Sequence, residues 1–91
     1  MNPTKKEVII LKQKWLSEKT ECERCHRTKD LTLDHIIPKE LVSQMGVDIE
    51  REYNPENYQC YCRVCNIFKG NRLDFANPKT KPMLMKYLNS I

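Results

Sequence analysis

The sequence predicts a small single α+β domain spanning residues 1–91, in which a short two-stranded element lies between flanking helices and is stapled by a metal ion. Three observations predict it. The chain has 91 residues, of which 40% are apolar, and its mean hydropathy is −0.70. A large core is therefore out of reach, and domains this small commonly lean on a metal or on disulfides. Four of the five cysteines fall into two tight pairs, "CERC" (Cys22, Cys25) and "CRVC" (Cys62, Cys65). Two short strand-like runs stand between the outer segments, and those outer segments carry helical spacing instead.

Taken in order, "TKKEVIILKQKWLSEK", about residues 4–18, reads as an amphipathic helix. Thr4 and Glu7 have capping-box spacing, and Val8, Leu11 and Trp15 recur on one face. "TECERCHRTKD" is a knuckle-type turn, with two thiols three residues apart among polar filler. "LTLDHII" alternates and is β-branched, so it reads as a strand that Pro38 ends or keeps extended. "KELVSQM" predicts one or two helical turns stopped at Gly46, and "DIEREYNPE" a polar loop turning at Asn54-Pro55. "NYQCY" is a second short strand. "CRVCNIFKG" starts as a knuckle and continues as a short helix with Gly70 as its stop. After a loop containing Pro78, "KPMLMKYLNSI", about residues 81–91, predicts a last helix with Leu84, Leu88 and Ile91 on one stripe.

Charge is unevenly distributed. Residues 1–29 carry eight basic and four acidic side chains, residues 30–61 two and seven, and residues 62–91 six and one. Two basic ends thus flank an acidic middle. Basic surface is the electrostatic footprint of a nucleic-acid partner, although scattered lysines also serve solubility alone. The acidic middle suits phosphate only where a cation intervenes. No stretch reads as a signal peptide or a membrane span, which predicts a cytoplasmic protein without a membrane partner. In that compartment, C-x-x-C pairs read as metal ligands rather than as a disulfide framework.

A C-x-x-C turn presents two thiolates to one ion, and two such turns complete a closed tetrahedral Cys₄ site for structural Zn²⁺. Cys22, Cys25, Cys62 and Cys65 are the predicted ligands, tying one knuckle to the other across the long segment between them. Incidental buried thiols and a redox pair are the competing readings. Cys60 reads as a small apolar filler in the second strand and His26 as a surface residue, since four thiols already fill the shell. Trp15 and Tyr58 read as core rather than as stacking platforms for bases.

Between the knuckles lies "LDHIIP". Taken alone, Asp34 and His35 are an ordinary solvated pair. Together with "ENYQCYC" and "CNIFKG", however, the order C-x-x-C, D-H-I-I-P, E-N-x-Q, C-x-x-C-N-x-x-K-G resembles the HNH endonuclease family, from Cys22 to Arg72. The resemblance implies a ββα-metal finger. It implies His35 as general base, Asp34 and Asn66 as ligands of a catalytic divalent cation, and Asn57 as the residue that orients the histidine and fixes the loop. Many members have histidine where this chain has Asn66, which makes it an H-N-N variant. An amide oxygen is a harder ligand than imidazole and favours Mg²⁺ or Mn²⁺. The insertion "KELVSQMGVDIEREYNPE" replaces a shorter link.

Elementary chemistry agrees with that reading. Phosphodiester hydrolysis needs an activated water and a metal to stabilise charge, and neutral imidazole accepts a proton near neutral pH. In an ideal strand Asp34 and His35 face opposite ways, so one site can use both only where the extended geometry breaks. Helical spacing puts Lys69 on the face of Asn66, which makes it a predicted phosphate contact, with Arg63 and Arg72 more loosely assigned. The expected function is a metal-dependent DNA endonuclease or nickase of phage or prophage type, with DNA and phage packaging proteins as partners. The alternative is a zinc-stapled DNA-binding or packaging-accessory module that does not cut. No feature of the sequence encodes an oligomeric state.

Overall fold

A computed structural model describes residues 4–44 and 53–89. The element order is α1 (Lys5–Ser17), β1 (Leu31–His35), α2 (Lys39–Gln44), a 3-10 turn (Pro55–Asn57), β2 (Tyr58–Cys62), α3 (Arg63–Lys69) and α4 (Thr80–Asn89). This is the small α+β arrangement expected, with two antiparallel strands, helices on both sides in sequence, and clustered cysteines. The predicted stop at Gly46, the start of the polar loop and Ile91 lie outside the described residues.

Thr4 caps α1 as its spacing predicted, its hydroxyl accepting the Glu7 N–H at 3.2 Å. Such a cap stabilises a helix by about 1 kcal/mol. Val8 is buried, Leu11 and Trp15 are half-buried, and the rest of α1 is largely in water. The inward stripe of α1 faces β1.

β1 and β2 pair in the register Leu31↔Cys62, Leu33↔Cys60 and His35↔Tyr58. An isolated two-stranded ribbon is marginal in water, and no tight turn joins these strands. They are held at both ends instead. At one end the knuckles meet: Cys22 N–H bonds Arg27 O at 2.8 Å, Glu23 N–H bonds Cys60 O at 2.8 Å, and Arg63 N–H bonds Asp30 O at 2.8 Å. At the other end Asn57, fully buried, accepts the Ile37 N–H on Oδ1 at 2.9 Å and donates from Nδ2 to Ile37 O at 3.2 Å. Both backbone groups of a buried residue are thereby satisfied by one side chain.

Two small apolar clusters follow from this geometry. Ile36, Ile37 and Val42 pack with Met83 and Tyr87 of α4, while Leu31 covers Cys22, Tyr61, Cys62 and Cys65. The inward face of α4 differs from the expected stripe. Thr80, Met83 and Tyr87 are its buried residues, Leu84 packs at the edge, and Leu88 is 48% exposed. Two polar anchors set the rotation of the helix: Thr80 Oγ1 donates to Asp74 O at 2.6 Å, and the Tyr87 hydroxyl accepts from Asn54 Nδ2 at 2.9 Å. Apolar spacing alone carries no information about such anchors.

Candidate active site and metal centre

The metal centre is built from two turns and one helix start. Cys22 and Cys25 come from the first knuckle, where His26 adopts φ 65° and closes the turn with its N–H on Cys22 O at 2.9 Å. The His26 ring lies in solvent, its Nδ1 3.5 Å from Glu21 Oε1, so it does not enter the shell. Cys62 ends β2, and Cys65 lies in the first turn of α3. The four Sγ atoms lie within 4.8 Å of one another, with Cys25 and Cys62 sulfurs at 3.6 Å. Zn–S bonds of about 2.3 Å in a tetrahedron place sulfurs about 3.8 Å apart, so the donor set fits one Zn²⁺.

The electrostatics also suit a cation. Burial raises the Cys22 thiol, but the N–H groups of Cys25, Cys62 and Arg24 outweigh it and bring the pKa down to about 6. Burial pushes Cys65 up to about 12, helped by the Cys62 and Cys25 thiols beside it. Neighbouring thiolates oppose one another's ionisation, and a bound cation removes that opposition. Cys60 stays outside the cluster as a buried thiol, raised by burial and then by the nearby Glu23.

The second centre lies at the opposite end of β1. Each member of the acid–histidine pair meets its own cross-strand partner. Asp34 Oδ2 accepts from Gln59 Nε2 at 2.8 Å, and the His35 ring packs edge-on against Tyr58 with centroids 5.4 Å apart. The two side chains thus leave the strand on opposite faces. Because β1 ends at His35, both nevertheless line the same two surface depressions. The larger, about 450 Å³, is walled by Lys12, Gln13, Leu16, Leu33, Asp34, His35 and Lys39. The smaller, about 260 Å³, adds Pro38, Glu40, Lys69, Gly70 and Asn71 to Asp34, His35 and Lys39. Gly70, at φ 57°, makes the close turn that ends α3 there. A side chain at that φ would be strained.

α3 lies along β1 with Asn66 against Thr32 and Lys69 against Asp34. Asn66 Nδ2 donates to Thr32 Oγ1 at 2.8 Å, which commits the amide nitrogen and leaves the carbonyl oxygen as the atom able to ligate a cation. Asn66 itself lines neither depression. Lys69 departs from expectation. Far from reaching out of the helix towards phosphate, it is 5% exposed. Its Nζ lies 3.1 Å from Asp34 Oδ2 and donates to His35 O at 3.0 Å. A buried ammonium needs such partners, and Asp34 is the carboxylate that supplies one. The Gln59 and Lys69 contacts to Asp34 both fall on Oδ2, and a carboxylate has acceptor sites on its second oxygen as well.

Asn57 sits behind this end of the sheet and clamps Ile37, two residues after His35, as described above. Arg63 and Arg72 are exposed on α3 and just beyond it, and line neither depression. Arg72 is turned back, with Nε on Lys69 O at 3.2 Å and Nη2 on Phe68 O at 2.6 Å, closing the end of the helix.

Sequence reasoning missed three contributors. Gln59 is fully buried and links Asp34 to Asn77, whose Nδ2 donates to Gln59 Oε1 at 2.7 Å. The glutamine stood in the quoted "ENYQ" motif with no role attached, and a polar residue inside an aromatic strand was the available signal. Lys12 and Lys39 border the site from α1 and α2. Lys12 is one turn from buried Val8, so a cation on the inward edge of α1 was visible in the spacing.

Comparison with known proteins agrees with this geometry. The profile described as HNH endonuclease matches residues 22–72, which include both knuckles, both strands and α3. No curated protein matches the chain, and no solved structure matches it. The matched segment covers more than half of the sequence and contains the four cysteines together with Asp34, His35, Asn57 and Asn66: the chain belongs to the HNH endonuclease family.

Proposed function

We propose that this protein is a metal-dependent DNA endonuclease or nickase, with a structural Zn²⁺ on Cys22, Cys25, Cys62 and Cys65 and a catalytic Mg²⁺ or Mn²⁺ held by Asp34 and Asn66. The observation that carries the reading is the placement of Asp34 and His35 at the open end of β1, where both border one groove and α3 runs alongside. His35 takes the proton of the attacking water, and its ring is fixed by Tyr58 from one side and by the clamped backbone that follows it. Asn57 serves as the positioning residue for that backbone. Lys69 and Gln59 orient the Asp34 carboxylate. When bound, the divalent cation supplies charge stabilisation at the phosphate and the leaving oxygen. Arg63 and Arg72 offer phosphate contacts outside the groove, with Arg72 divided between that role and the α3 end.

One observation favours a second reading. Lys69 already neutralises Asp34, as suits a DNA-binding module that has no cation there. Supercoiled plasmid incubated with the purified protein under Mg²⁺, Mn²⁺ or EDTA separates the two. The nuclease reading expects nicking or linearisation with metal and none with EDTA. His35→Ala should slow it by about 10² to 10⁴ without rescue by added metal, whereas Asn66→Ala should be partly rescued. Equal rates for wild type and His35→Ala, or no cleavage with any divalent metal, would hand the function to the binding module.

A further inference from the structure

We propose that Asn77, in the loop between α3 and α4, is a positioning residue for the reaction: acting through Gln59, it fixes which oxygen of Asp34 is tied down and which is left for the divalent cation. This rests on the nuclease reading and extends it past the family match, which ends at residue 72.

Strand alternation puts Thr32, Asp34, Gln59 and Tyr61 on one face of the two-stranded ribbon. That face is polar, yet α3 and the loop after it cover it: Gln59 and Tyr61 are fully buried and Asn77 is 7% exposed. Buried polar groups cost free energy unless they are partnered, and here each side-chain amide is used at both ends. Asn77 Oδ1 accepts the Lys79 N–H at 3.0 Å, and Asn77 Nδ2 donates to Gln59 Oε1 at 2.7 Å. Gln59 Nε2 then donates to Asp34 Oδ2 at 2.8 Å.

The direction of this chain of bonds is dictated from its loop end. A backbone N–H can only donate, so Asn77 must turn its oxygen to Lys79 and its nitrogen to Gln59. Gln59 must in turn present its oxygen to Asn77, which leaves its nitrogen for Asp34. Were Gln59 reversed, its carbonyl oxygen would oppose the carboxylate, acceptor against acceptor. Lys69 Nζ meets the same Oδ2 at 3.1 Å. Neither contact uses Oδ1, so Oδ1 is the oxygen able to ligate a cation. The loop end is itself anchored. Asp74 Oδ2 accepts from the Tyr61 hydroxyl at 2.7 Å and lies 3.2 Å from Arg24 Nε, while Asp74 O accepts the Asn77 N–H at 3.2 Å. Tyr61 belongs to β2 and Arg24 lies between the thiols of the first knuckle, so Asn77 is held against the strand and the zinc-binding turn together.

The test measures Mn²⁺ binding to the full zinc-loaded chain by calorimetry, beside plasmid cleavage over a Mn²⁺ titration. Asn77→Asp keeps the acceptor for Lys79 but loses the donor to Gln59, so Gln59 reverses against Asp34. Partners behind a metal ligand typically matter about 10- to 100-fold in affinity, and Mn²⁺ binding should weaken by about that factor. Cleavage should need correspondingly more Mn²⁺ and approach the wild-type rate at saturation, with KM for DNA unchanged. Asn77→Ala, which buries no charge, should weaken Mn²⁺ binding in the same direction and carries the test if Asn77→Asp does not fold. Thr80→Val removes the Thr80 Oγ1 bond to Asp74 O from the same loop without touching the amides; it should lower the melting point and leave Mn²⁺ affinity near wild type. Wild-type Mn²⁺ affinity in the folded Asn77 variants, or an equal loss in Thr80→Val, overturns the positioning role. A wild type that binds Mn²⁺ without cutting DNA ends the nuclease reading, and the affinities of the variants still decide whether Asn77 orients Asp34. A wild type that binds no Mn²⁺ overturns both.

Discussion

Replacing Asn57 by alanine isolates the clamp at the open end of the sheet. The side chain is fully buried and satisfies both backbone groups of Ile37, itself fully buried. Asn57→Ala leaves one N–H and one C=O without partners, at about 1–3 kcal/mol each. Water entering the vacated space recovers part of that, so the expected loss is about 2–4 kcal/mol. For a domain of about 5–15 kcal/mol total stability this is a large fraction, and it corresponds to a melting decrease of roughly 10–25 °C. The Ile36 N–H bond to Asn57 O at 2.8 Å is backbone to backbone and survives the substitution. The damage should therefore be confined to the segment after His35. Urea denaturation at saturating zinc, followed by circular dichroism and Trp15 fluorescence, measures the loss, since Trp15 packs edge-on against Tyr58 next to the clamp. Asn57→Asp keeps the acceptor for the Ile37 N–H, loses the donor to Ile37 O and buries a carboxylate, so it should be no more stable than alanine. If Asn57→Ala lies within about 0.5 kcal/mol of wild type, the range of ordinary surface changes, the clamp contributes nothing and the argument is wrong.

Other perturbations probe the remaining parts. Chelation, or Cys65→Ser, should unfold the chain or lower its melting point sharply, because small metal-stapled domains draw folding energy from the ion; zinc-free protein with full helicity would refute the staple. Lys69→Met keeps the packed stem but strands Asp34, which should cost about 3 kcal/mol, and adding Asp34→Asn should recover part of it; additive losses in the double mutant would show that the pair is not coupled. Burial pushes the Asp74 carboxyl up, but the Tyr61 hydroxyl, the Ala76 N–H and Arg24 outweigh it and hold it below the ordinary value. A folded-state pKa below the unfolded one adds stability above the unfolded pKa, about 3.9, and that stability is lost as pH falls through the folded value. Asp74→Asn should accordingly flatten the acid limb of the stability curve relative to wild type at equal zinc loading, and parallel acid limbs would refute it.

The parts of this fold that were legible in the sequence are those encoded by local rules. The Thr4 cap, the strand alternation, the glycine stop at Gly70 and the paired thiols all depend on residues a few positions apart. The clustering of Cys22, Cys25, Cys62 and Cys65 was legible despite their separation because soft ligands at this spacing have few other uses. The fate of Lys69 was not. Helical spacing placed it beside Asn66, but whether its ammonium meets water or Asp34 depends on how closely α3 approaches β1. The same holds for Lys12, whose relevance appears only when α1 packs on the strand that ends in His35. Polar networks such as Asn77–Gln59–Asp34 join three separate segments, and no periodicity reports them.

The adjacency of Cys65 and Asn66 has a consequence for biosynthesis. The chain emerges from the ribosome with Asp34 and His35 well ahead of α3, and the first knuckle alone offers two thiols, too few for a closed tetrahedral shell. The shell cannot close before Cys65 has been added, and the next residue is Asn66. Closure of the four-thiol shell and the docking of α3 on β1 therefore both wait for the same segment, because Cys65 lies in the first turn of α3. A chain truncated before that segment would carry the acid and the histidine without the helix that stands beside them.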